Sequence, residues 1–487
     1  MQRVDVDGVP VFWRQGPEPL TATMFFRVGR RDETFLSGGI THLVEHLVMR
    51  DFGRTHLDCN ASVDLSTTLF TATGRPDAVK GFLESVCRSL RDLSTDALET
   101  EKSVLRREGG SAAHPLECVA LAARYGARDL GLAALSEPAV GNLTGDQVRR
   151  WAGRHFVTEN AALALTGAPP PGLSLDLSAG ARNNRPAPLH RPIPLPAWTT
   201  AAEGAAVAFL ATHSQALRAG LRVALDRLTH ELRHGRGEAY DVAFHVTGVD
   251  PTTDLTQVTF VADPEDKRAG WVANQIVDLL GKLADEGPTK DELSHDHAGM
   301  VEVFSDPRAV DGEVCSYASA HLSDHPPESH EQQIEEHRSL TPADVAAALV
   351  RLRETALAIV SEDVEFARPR FRKVPPSSGE PVDGRVLKRR PFGSWAPPGC
   401  RLHLSADGVS MTDSDGEQRT ARWADVCGVG ADTGGVYVVQ SLDGACVPLR
   451  AADWLGGGEI IKALKAQVPA QLFFHYDSDD EGTPAER

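Results

Sequence analysis

Five consecutive residues carry the densest chemistry in the chain: His42-Leu43-Val44-Glu45-His46. Histidines four apart stand one turn from each other on an α-helix, so both imidazoles can reach one metal ion. Glu45, three residues after His42, shares that face and is placed to take a proton from a water on such a metal. Gly38-Gly39 precedes the stretch, and Thr41 or Ser37 could help cap a helix beginning there. The competing reading of His42, Glu45 and His46 is a solvated polar helix face.

A hydrolytic zinc centre takes three protein ligands and keeps a position open for water. The segment from Thr95 to Glu108 holds no Gly or Pro and runs into Gly109-Gly110, which predicts a helix capped near Thr95 and stopped by the glycine pair. Glu101 and Glu108 lie two turns apart on it, so one face carries both carboxylates. An acid in the last turn of a helix opposes the helix dipole, which favours a functional role for Glu108 over an ordinary surface one. Glu101 reads either as an auxiliary carboxylate near the metal or as a plain surface acid.

At this point the chain resembles the M16 (pitrilysin/insulinase-type) inverted-zincin metallopeptidases. The resemblance rests on Gly8-Val9-Pro10-Val11, Phe26-Arg27-Val28-Gly29-Arg30-Arg31-Asp32-Glu33, the H-x-x-E-H string, Asn60-Ala61-Ser62, the Glu101/Glu108 helix, and Leu232-Arg233-His234-Gly235-Arg236-Gly237-Glu238-Ala239-Tyr240. It covers roughly residues 1–365. It implies one Zn²⁺ per chain held by His42, His46 and Glu108, with Glu45 as catalytic base. It further implies that a peptide substrate adds as a strand beside Asn60-Ala61, and that Arg236 and Tyr240 act on that substrate from the opposite lobe. A salt bridge and a packed aromatic are the structural alternative for that last pair. The interval from His46 to Glu108 is shorter than is usual in the family, and the shortening is expected within 51–57.

The sequence repeats itself at a long period. Thr95-Asp96-Ala97-Leu98 matches Lys290-Asp291-Glu292-Leu293, and Asn142-Leu143-Thr144-Gly145 matches Ser339-Leu340-Thr341-Pro342, at nearly one offset. Apolar strands at Ala161–Leu165 and Ala356–Val360 end the two copies. The expected fold class is α+β, with two homologous domains, each an antiparallel sheet covered by helices on one side, followed by a small β-rich domain. Only the first copy keeps the metal motif, so the second reads as a substrate-holding lobe. The expected units are 1–167, a proline-rich linker 168–198, 199–366, a second linker 367–398, a β-rich unit 399–472, and an acidic tail 473–487, disordered by composition. The order of short strands, W-x-D-V, V-P-L and a final helix resembles bacterial PH-like domains, with no basic cluster marking a phosphate site.

A second two-histidine string, His321-Leu322-Ser323-Asp324-His325, is followed by Pro326-Pro327. With His330 and His337 nearby, it reads as a solvated histidine-rich loop. The formal charge of −18 argues against nucleic-acid binding. No run of 18 apolar residues suggests a membrane span, and no secretory signal is expected at the N-terminus. Seven dispersed cysteines suggest a cytoplasmic, reducing setting. The resemblance implies a homodimer or an M16 partner subunit. The rival to a zinc endopeptidase acting on unfolded peptides or leader segments is a non-catalytic M16-like scaffold.

Overall fold

The computed structural model describes residues 1–475 apart from 54, 109–112, 136, 138 and 236, and apart from the side chain of residue 234. The first lobe runs β1 (Gln2–Val6), β2 (Val9–Trp13), β3 (Leu20–Phe26), α1 (Ile40–Phe52), β4 (Asp58–Val63), β5 (Thr68–Gly74), α2 (Pro76–Arg91), α3 (Leu98–Glu108), α4 (Pro115–Tyr125), α5 (Gly145–His155) and β6 (Ala161–Leu165). The second runs β7 (Ala197–Ala201), β8 (Ala205–Thr212), α6 (Gln215–Leu228), β9 (Val242–Asp250), β10 (Leu255–Ala262), α7 (Ala269–Glu286), α8 (Lys290–Ser305), α9 (Val310–Ser323), α10 (His330–Ser339), α11 (Pro342–Leu349), α12 (Leu352–Thr355), β11 (Leu357–Ser361) and β12 (Arg372–Lys373).

The two lobes share one topology. Their sheets are ordered β1-β2-β6-β3-β5-β4 and β12-β7-β11-β8-β10-β9. Without the outermost β1 and β12, the orders coincide strand for strand. So do the senses: β2 runs parallel to β6 as β7 does to β11, and the remaining neighbours are antiparallel. The paired helix starts also recur. Thr144 and Gln147 form a reciprocal cap at α5, and Thr341 and Asp344 form one at α11.

Helices cover both faces of each sheet, not one. Helix α4 of the first lobe lies on the second sheet, where Leu116, Ala120 and Ala123 pack with Ala206, Ala208, Val261 and Leu357. Helix α9 of the second lobe lies on the first sheet, where Val314, Ala318 and Leu322 pack with Phe12, Phe25, Ala162 and Ala164. Each lobe lends a helix to its neighbour. Cover on both faces explains why β6 and β11 are buried at every residue instead of alternating. It also corrects the histidine-rich loop. Helix α9 continues through His321, whose ring lies 5.7 Å from that of Phe12. His337 is buried in α10 with its Nε2 2.6 Å from Asp296. Only the residues around Pro326-Pro327 remain irregular.

The third unit is two four-stranded sheets closed by a helix. β13 (Arg385–Lys388), β14 (Arg401–Leu404), β15 (Gly408–Thr412) and β16 (Gln418–Arg422) form one sheet. β17 (Val426–Ala431), β18 (Val436–Ser441), β19 (Cys446–Arg450) and β20 (Phe473–His475) form the other, with α13 (Gly458–Gln467) before β20. The stretch 367–398 thus contributes β12 to the second sheet and β13 to the third unit. Residues 168–196 carry no helix or long strand, but Arg182, Arg185 and Arg191 tie them down, for instance through Arg185 to Asp32. The tail expectation beyond residue 475 lies outside the described residues.

Candidate metal centre

Helix α1 buries Ile40, Leu43, Val44, Leu47 and Val48 in the first-lobe core, which turns His42 and His46 toward α3. Its start is built from a distance. The N-cap is Gly39 in the left-handed region, φ 85°, and no side chain of the helix caps it. The Glu33 carboxylate does so instead, one oxygen accepting from the Gly39 N–H and the other from the Thr41 N–H, both at 3.0 Å. Arg30 pairs with Glu33 at 2.6 Å, and both are buried. Ser37 caps the preceding single turn with Thr34, while the Thr41 hydroxyl accepts from the Trp151 indole. The residues proposed from sequence as caps are therefore used elsewhere.

The donor atoms meet at one point. His42 Nε2 and His46 Nε2 are 3.2 Å apart, and Glu108 Oε2 lies 3.8 and 3.3 Å from them. Zinc bonds of about 2.0–2.1 Å at tetrahedral angles put donors roughly 3.4 Å apart, so this triangle fits such an ion. Among the described residues it is the one group of three or more potential ligands that converges in this way. Glu45 Oε2 stands 3.7 Å from both histidine nitrogens, beside the triangle and not within it.

Glu101 sits behind His46. Its Oε2 is 3.1 Å from His46 Nδ1, and its Oε1 accepts from Arg50 at 2.6 Å. A carboxylate can only accept, so this contact holds the proton on Nδ1 and leaves the Nε2 lone pair facing the triangle. Glu101 is 6% exposed, which removes the plain surface reading. Lys102, also buried, fixes α3 by bonding Glu99 and the Gly141 carbonyl.

Electrostatics favours ligation. Burial, with lesser contributions from His46 and Arg30, lowers His42 to about 4, so its imidazole is neutral at ordinary pH. Burial raises Glu45 to about 7, with Glu108 and Glu101 pushing the same way and His46 opposing. A cation among the donors would draw it back down.

No family model matches the sequence, and no curated protein matches it. Solved structures do match the fold. The M16 peptidase inactive domain from Pseudomonas fluorescens aligns with a TM-score of 0.61 at 13% identity, over 76% of this chain and 99% of that one. A protease from Helicobacter pylori aligns at 0.58 and 16% identity, over 74% and 98%. A chain of complex III2 from Candida albicans aligns at 0.59 and 13%, over 76% and 98%. The fold is that of the M16-like peptidases.

Within this M16-like frame, the remaining sequence-derived residues separate. Asn60 and Ala61 lie on β4, the free edge of the first sheet, next to α1. They pair inward with Thr71 and Phe70 of β5, and the outer rim of β4 has no strand partner among the described residues. Tyr240 precedes β9 in the second lobe, 77% exposed, with the Arg233 guanidinium 5.2 Å over its ring. No contact of Tyr240 with the His–Glu triangle occurs among the described residues. Arg236 lies outside the described residues, as does the expected Gly109-Gly110 helix stop. Sequence reasoning missed Glu33, Arg30, Arg50 and Trp151. Glu33 and Arg30 fell inside a motif already singled out, which was the available signal.

Proposed function

We propose that the chain is a zinc-dependent endopeptidase acting on unfolded peptides or on leader-type segments. The observation that carries this is the donor triangle of His42, His46 and Glu108 with Glu45 3.7 Å from both imidazoles. A bound zinc would supply the Lewis acidity that polarises the scissile carbonyl and acidifies water. Glu45 would take the proton of the attacking water at Oε2 and return it to the departing amine. Glu101 would keep His46 in its ligating tautomer, and Glu33 would hold the first turn of α1 in register. The peptide would add along the outer rim of β4, using backbone hydrogen bonds that tolerate many sequences. Arg236 and Tyr240 would approach it from the second lobe.

The two four-stranded sheets closed by α13 support the resemblance of the third unit to PH-like domains. The seven cysteines, all unpaired, support a cytoplasmic setting. Among the described residues no helix is long and apolar enough to cross a membrane. Retention of both the metal half and the Tyr240 half in one chain supports a homodimer over a heterodimer that splits them.

The test is zinc content, with cleavage of an unstructured peptide mixture, for the wild type beside Glu45→Gln. Metal-dependent cleavage absent from the variant is expected. Neither zinc nor cleavage would leave the scaffold reading, which the inactive-domain neighbour makes the natural second one.

A further inference from the structure

The third unit carries an exposed loop whose chemistry the reading above does not use. Between β13 and β14, the sequence Lys388-Arg389-Arg390-Pro391-Phe392-Gly393-Ser394-Trp395 sets three cations beside two aromatics. Phe392 is 89% exposed and Trp395 71%, the two most exposed large aromatics besides Tyr240 among the described residues. Leu455, 51% exposed, is fastened beside them, its N–H donating to the Lys388 carbonyl at 2.9 Å. The basic cluster lies in the stretch expected to be linker. The structure joins it to the sheet, with Lys388 paired to Arg401.

The loop is held in shape, not loose. The Arg389 guanidinium donates to the Ala396 and Ser394 carbonyls. The Trp395 N–H donates to Asp453 at 2.8 Å, and the Arg450 guanidinium stacks 3.5 Å over the Trp395 ring. Arg390 bonds the Trp454 carbonyl. The rigid support spends its hydrogen bonds on presenting apolar rings to water. Exposed rings beside cations call for a surface that is apolar beneath and anionic above.

The charges around the loop remain net positive. Lys388, Arg389, Arg390, Arg401 and Arg450 stand at this end of the unit. Facing them are Asp453, paired with Arg450, and Asp413, Asp415 and Glu417 of the turn near Gly399, with Glu417 paired to Lys373, so the five cations and Lys373 outnumber the four acids. In a chain of net charge −18 this is a local inversion. Two rings this exposed, backed by a net positive cluster, match the apolar-beneath, anionic-above chemistry of a lipid interface.

We propose that Phe392 and Trp395 insert into the interface of an anionic lipid bilayer, with Lys388, Arg389 and Arg390 over the headgroups. Aromatic rings favour that interfacial depth, and basic side chains are drawn to anionic leaflets. The inference is independent of whether the metal centre is active.

The experiment is sedimentation of the full chain with vesicles of phosphatidylcholine alone, or with about a third phosphatidylglycerol. Phe392→Ser, at a fully solvated position, leaves the fold intact, and Lys388→Glu reverses a charge on an exposed strand end. Expected is binding to the anionic vesicles at least tenfold stronger than to phosphatidylcholine, with each variant weakening it several-fold and unchanged thermal stability throughout. Soluble polyglutamate is the control for an acidic protein surface. Failure to bind anionic vesicles, indifference to Phe392→Ser, or equal displacement by polyglutamate would overturn the proposal, the last in favour of a protein partner.

Discussion

Replacing Glu101 by Gln tests the metal centre through a residue that touches no metal. In the wild type, Oε1 accepts from Arg50 and Oε2 faces His46 Nδ1. Arg50 can only donate, so it captures the carbonyl oxygen of the new amide. The amide NH₂ is then turned toward Nδ1, which must become the acceptor. The proton moves to Nε2, the nitrogen that should ligate. Loss of an outer partner of a metal-bound histidine typically costs 10–100-fold in affinity, and forcing the wrong tautomer places this variant near the upper end. A hundredfold corresponds to about 2.7 kcal/mol. For a chain this long, unfolding entropy is roughly 1 kcal/mol per degree, so the melting shift at fixed zinc is only about 3 °C. Competition with a chromophoric chelator is therefore the assay. Adding Arg50→Met frees the amide to rotate and should recover about tenfold of the lost affinity, within the same range of outer-partner effects. Glu101→Gln binding zinc within threefold of wild type, or no recovery in the double variant, would refute the tautomer argument.

Other perturbations follow from the packing. Glu33→Ala strips two N–H groups of the α1 start of their acceptor and removes the nearer of the two carboxylates beside buried Arg30, and should cost about 3–5 kcal/mol in urea denaturation, with weaker zinc binding. Leu322→Ala, in the borrowed helix α9, should cost about 2–5 kcal/mol and lower both lobes in one transition; a transition confined to one lobe would contradict the exchange. His155 is 5% exposed and held by burial at about 4 against about 6.5 when unfolded. The unfolded state then binds more protons between those values, so His155 contributes a loss of stability as pH falls from 6.5 to 4. A His155→Gln protein should show a stability difference from wild type that changes across this window by up to about 1.4 kcal/mol per pH unit, and is flat above pH 7.

The parts legible in the sequence were those set by local spacing. The i, i+4 histidines and the two-turn separation of Glu101 and Glu108 fix faces of helices, and the threonine caps announced the repeat. What was hidden depends on tertiary return. Glu33 caps α1 from six residues upstream across a turn, so no capping box advertises it. The exchange of α4 and α9 leaves only apolar helix faces in the sequence, with nothing to say which sheet they cover. Strand β13 is four residues long, three of them exposed, and its pairing with β14 is invisible to periodicity. The double proline after His325 signalled a loop correctly but not that a helix runs to within three residues of it.

The reciprocal loan of helices bears on how a substrate would gain access. Prising the two halves of the chain apart would strip α4 from one sheet and α9 from the other, baring four apolar faces at once. It would also break the Arg31 hydrogen bonds to the Gly248 and Val249 carbonyls. Such a hinge is closed energetically, so under the proposed function the two lobes would act as one rigid body with β4 as a fixed substrate edge. Flexibility would then have to come from the substrate. If the chain is the peptidase proposed above, a polypeptide would be admitted to the extent that it already spends time extended, and turnover on a folded protein should follow the fraction of time its termini are frayed.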